Sequence, residues 1–90
     1  MMSLYDLVNS VTIQGDVRIS FWNDDEEVVL LEENGTDDLC YEVCGAGGDV
    51  AMFDCCKVKY IFSAGDGYIH IELDEEDALE VHNELMVSEV

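Results

Sequence analysis

Basic residues are almost missing from this 90-residue chain. Three Lys or Arg stand against twenty-two Asp or Glu, a formal charge of −19. So few cations cannot build the footprint that tracks a phosphate backbone, which excludes direct nucleic-acid binding. The same deficit excludes attachment to an anionic membrane surface. No apolar run approaches the length of a membrane-spanning helix. The opening, Met1-Met2-Ser3-Leu4-Tyr5-Asp6, has neither a basic region nor a long apolar stretch, so it does not read as a secretory signal. The expectation is a cytoplasmic protein whose four cysteines, two of them the adjacent Cys55 and Cys56, stay reduced.

Chemical motifs are scarce too. The run Gly45-Ala46-Gly47-Gly48 lacks the Walker lysine pattern and the spaced glycines of a dinucleotide fingerprint, and reads as a flexible connection. Asp24-Asp25-Glu26-Glu27 does not follow EF-hand spacing and has no glycine at the required position. Cys40 and Cys44 could join Cys55 or Cys56 and a histidine in a zinc set, but the second pair is vicinal rather than spaced. Their plainer reading is as small hydrophobes filling the core. Nothing local activates a thiolate beside His70 or His82, and negative surroundings raise a thiol's pKa. No nucleophile elbow or zincin helix is present. The chain is therefore expected to be no enzyme, with no cofactor and no specific metal site.

What is present is enough apolar residue to fold. The apolar fraction of 49% is too high for a charge-driven disordered segment. The length allows a single domain, residues 1–90. Leu4, Leu7, Val8 and Val11 form one helical stripe, with Ser3 and Asp6 completing a capping box. Val17, Ile19 and Phe21 share one side of a strand opposite Arg18, Ser20 and Trp22. Asn23-Asp24-Asp25 turns it into Glu27–Glu32, a strand apolar on both faces, which suggests that helices cover part of the sheet.

Asn34-Gly35 closes that strand, and Thr36 is placed to cap a brief helix over 37–44. Residues 50–56 read either as the start of a strand or as an irregular turn. Beyond them Val58, Tyr60 and Phe62 alternate with Lys57, Lys59 and Ile61, and Ile69, Ile71 and Leu73 alternate with Tyr68, His70 and Glu72. The turn at 63–67 makes these two runs the strongest strand pair. Asp74 caps a last helix to about Met86, whose buried stripe is Ala78, Val81, His82, Leu85 and Met86. The expected fold is a small α+β domain, an antiparallel sheet of two hairpins covered by short helices.

The charge is unevenly spread. Residues 23–56 carry eleven acids and no base, residues 74–90 carry a net −7, and residues 57–73 are neutral. The clusters are Asp24, Asp25, Glu26 and Glu27; Asp37 and Asp38; and the last helix, where Glu76, Glu80 and Glu84 recur every four residues in one column. Like charges at that spacing cost a few tenths of a kcal/mol each. One reading is a set of solvated turns and helix starts. The other makes these nine residues a partner-binding surface that imitates phosphates and occupies a basic groove on a nucleic-acid-binding protein. Trp22, beside the acidic turn, either packs beneath a helix or stands exposed as an aromatic anchor. An assembly role is the alternative, through a sheet edge pairing with another copy, against which −19 per chain works.

The runs Thr12–Trp22, Val58–Phe62 and Gly67–Leu73 resemble those of small acidic proteins carried on bacterial mobile elements and prophages. Some such proteins are nucleic-acid mimics and inhibitors of restriction or CRISPR systems, so the resemblance implies an inhibitor that binds protein. It transfers no catalytic or binding residue.

Overall fold

In the computed structural model, which describes residues 2–45 and 48–88, the chain forms a four-stranded sheet of order β2-β1-β4-β3. The strands are β1 (Gly15–Asn23), β2 (Glu26–Thr36), β3 (Val58–Ser63) and β4 (Ile69–Leu73). Helix α1 (Leu4–Ser10) precedes them and α2 (Glu75–Ser88) follows. The domain is α+β, built from the two hairpins that the sequence implies. The hairpins meet through β1 and β4, which run parallel, so the sheet is mixed. That junction decides which loops share an end.

Local chemistry sets the helix ends. Ser3 accepts a hydrogen bond from the Asp6 amide and the Asp6 side chain accepts from the Ser3 amide, closing the capping box. Asp74 likewise accepts from the Asp77 amide at 3.2 Å and caps α2. The middle helix is capped differently from expectation. Thr36 is the last residue of β2, buried, and its hydroxyl oxygen has no hydrogen-bond partner among the described residues. Asp38 is the cap instead: its carboxylate accepts from the Tyr41 amide at 3.2 Å, ahead of Leu39, Cys40 and a π-helical turn at Tyr41–Gly45. Both residue types can cap, and the strand claims Thr36 because β2 continues past Gly35. Gly35 takes φ +64°, and its amide donates to Asp16 at 2.7 Å. Within the glycine run, Ala46 and Gly47 lie outside the described residues. The ambiguous stretch opens as a 3-10 helix, Asp49–Phe53.

One core holds these pieces together. Val17, Ile19 and Phe21 of β1 and Ile71 and Leu73 of β4 are buried with Leu4, Leu7 and Val8 of α1. Leu39, Val43, Val50, Phe53 and Ala78 close over them from the helical segments. Phe21 stacks on Phe53 at 5.9 Å and meets the His82 ring edge-on at 5.6 Å. Burying a side chain of this size contributes roughly 1.5–3 kcal/mol. Val81, His82 and Leu85 of α2 are half-buried as expected, whereas Met86 is exposed. Cys56 fills the core; Cys40 packs at its margin and Cys44 is exposed, so the core-filling expectation transfers to a different cysteine.

A bulge corrects the reading of β3. Val58 pairs with Leu73 but Tyr60 pairs with Glu72, so Lys59 is an extra residue. Val58 therefore faces the core, while Tyr60 and Phe62 project from the opposite face.

Candidate interaction surfaces

The acidic residues singled out from the sequence fall into two groups. Because β1 and β4 are parallel, the β1–β2 turn and the start of α2 lie at the same end of the sheet. Asp24, Asp25 and Glu26 thus share an end with Glu76, all four exposed. Asp24 adopts φ +57° in the two-residue turn between Asn23 and Glu26. Asp37 and Asp38 follow β2 and lie at the other end, so the fold does not join that cluster to the other two.

From β4, α2 crosses toward β2: His82 and Leu85 line a depression with Val28, Leu30 and Phe53. The exposed column Glu76, Glu80 and Glu84 travels with it. Glu80 and Glu84 line a groove with Cys55, Lys57, Asp77 and Val81. The column therefore has one basic neighbour, Lys57, whose ammonium lies 3.7 Å from Asp77. Glu27 belongs elsewhere. It is half-buried on the sheet, accepting from the Ser20 hydroxyl at 3.2 Å and lying 3.8 Å from Arg18.

That sheet face was not picked out as a site by sequence reasoning. The buried residues of every described helical segment join the core on one side; the other side is bare of described helices, although Ser20 and His70 are buried there. Trp22 stands there, 37% exposed, opposite the buried Phe21 side, so of its two expected placements the exposed one holds and the one beneath a helix does not. Val29, Tyr60 and Phe62 are exposed on the same face. Between them a polar network joins β1 and β2 to Tyr68, just before β4. Arg18 donates to Glu32 at 2.8 Å, and its guanidinium sits 5.0 Å from the centre of the Tyr68 ring. The Tyr68 hydroxyl lies 2.8 Å from Asn34 and 3.2 Å from Glu32. Phe62 stacks on His70 at 4.9 Å, and His70, only 5% exposed, reaches Asp66 at 2.9 Å.

The electrostatics follow from these contacts. The Tyr68 amide, and then the His70 ring, hold the Asp66 carboxyl below its ordinary pKa. Burial, and then the nearby Glu32 carboxylate, push the Tyr68 phenol up. Burial, followed by Cys55 and Asp77, pushes the Cys56 thiol up to about 12. Cys44 is also raised, by burial and then by Cys40. Both thiols stay protonated near neutral pH, which opposes nucleophilic chemistry. Among the described residues, no three or more His, Cys, Asp or Glu side chains come together to hold a metal ion, and no helix is long and apolar enough to cross a membrane.

No protein-family model matches the chain, and comparison with curated proteins and with solved structures finds no match. The molecule's surfaces must carry the functional argument.

Proposed function

We propose that this chain is a non-enzymatic protein-binding module whose carboxylates engage a basic surface on another protein, as a nucleic-acid mimic does. The supporting observation is the parallel pairing of β1 with β4, which gathers Asp24, Asp25 and Glu26 at one end of the sheet with Glu76. Glu80 and Glu84 extend that acidic stretch along α2. Carboxylates on rigid elements steer a basic partner through complementary potential, and a groove that accepts phosphates also accepts them. The resemblance to small acidic proteins of mobile elements suits an inhibitor acting in the cytoplasm on a nucleic-acid-binding protein.

The test is affinity capture of a partner by the wild-type chain and by Glu76→Lys/Glu80→Lys/Glu84→Lys, across salt concentrations. The expected partner is basic, is released by added duplex DNA or RNA, and is not captured by the folded triple variant. Equal capture by that variant would remove the α2 column from the site, and a partner that nucleic acid cannot displace would overturn mimicry.

A further inference from the structure

We infer that two copies of this chain associate by antiparallel pairing of their β3 edges, with a two-fold axis at Ile61, extending each four-stranded sheet into the other. The sheet has two edges, and charge separates them. The β2 edge carries Glu26, Glu27, Glu32 and Glu33, so two copies meeting there would oppose carboxylate to carboxylate. From Lys57 through Ser63 the β3 edge has no acid at all. On a chain of −19 it is the stretch where a second copy approaches with least repulsion.

The edge is also apolar where it is unguarded. Lys59 and its bulge protect the first half of β3, as charges and bulges do on natural edge strands. Tyr60, Ile61 and Phe62 have no such protection and are 54%, 52% and 41% exposed. Three consecutive large side chains at an unpaired edge are the pattern that strand addition covers.

Self-pairing fits the sequence of this strand. With Ile61 opposite its own copy, Tyr60 falls opposite Phe62 of the second copy on the bare face. Ile61 meets Ile61 on the helical face. Cross-strand aromatic and β-branched pairs of this kind stabilise a sheet. The same register sets Lys59 opposite Ser63, and the new pairing stops short of Lys57, which is already bridged to Ser3, while the Val58 amide donates to Met2 at 2.9 Å. An eight-stranded sheet made this way would still leave the Asp24–Glu26 turn and the Glu76 column free, so it does not depend on the function proposed above.

A six-residue strand makes a small interface, which belongs to the transient class. Association should be visible at hundreds of micromolar and should strengthen with salt, because screening relieves the repulsion between two acidic copies. Sedimentation equilibrium of the wild type at low and at about 0.5 M salt reads this directly. Expected is a monomer–dimer equilibrium favoured by salt, weakened more than about tenfold in Ile61→Lys, with circular dichroism and melting unchanged because Ile61 is already exposed. Ile61→Cys under mild oxidation should yield a dimer whose disulfide-linked peptides join position 61 to position 61. A wild type that stays monomeric throughout would overturn the inference, even if a strand from another protein adds to this edge. A dimer that survives Ile61→Lys, or one that cross-links without joining those positions, would also overturn it.

Discussion

Asp66 lies 2.9 Å from the ring of His70 and accepts a 3.0 Å hydrogen bond from the Tyr68 amide, tying the β3–β4 turn to the bare face. A carboxyl held below its ordinary value stabilises the folded chain above the unfolded pKa, and that stabilisation is lost as pH falls through the folded pKa. The ordinary value is 3.8, so the contribution is complete above it and disappears in more acidic solution. Melting temperature between about pH 4 and about pH 2 should fall more steeply for the wild type than for Asp66→Asn. Parallel slopes would remove the turn carboxylate from the acid response.

Thr36 and Asp38 sit two residues apart and should respond oppositely to truncation of their oxygens. Thr36→Val removes a buried hydroxyl that has no partner among the described residues, and should stabilise by about 1 kcal/mol. Asp38→Ala removes the cap on Tyr41 and should destabilise by about 1 kcal/mol. Urea unfolding of both variants measures the contrast. Equal and opposite shifts in the other direction would restore Thr36 as the cap.

Arg18 is held by Glu27 and Glu32 and by the face of Tyr68. Arg18→Met strands both carboxylates beside each other and should cost about 2 kcal/mol in chemical denaturation. Arg18→Lys should recover only part of this, since an ammonium cannot reproduce the planar fork. Full recovery by lysine would show that charge alone matters at this position.

The cysteines should react in an order set by exposure and pKa. Cys55 is exposed, whereas Cys56 is buried with its thiol pushed up to about 12. Alkylation of the folded protein near neutral pH, read by peptide mass, should label Cys55 well before Cys56. Comparable rates would show that the segment opens readily in solution.

The sequence disclosed those elements whose signals are local. The Ser3–Asp6 capping box, the Asn23-Asp24-Asp25 turn and the Gly65-Asp66-Gly67 turn each announce themselves within a few residues. The parallel meeting of β1 and β4 has no such signature, because Val17 and Ile69 are brought together by the whole fold. The acidic residues could therefore be counted, but which of them share an end could not. A single inserted residue at Lys59 reversed the faces of Tyr60 and Phe62, which strict alternation cannot reveal. The alternation of Arg18, Ser20 and Trp22 with the core side was legible. That Val29 and Trp22 would face solvent was not, since two-sided apolarity in β2 is equally satisfied by helices placed elsewhere.

The chain has one tryptophan, and the fold sets it on the uncovered face of the sheet rather than among the helices. Its fluorescence is consequently an internal voltmeter for that face. Iodide should be repelled and caesium drawn in by the surrounding carboxylates, so the ratio of their quenching constants reads the local potential without any label. Any molecule that settles on the sheet will alter that ratio before it alters the helical signal.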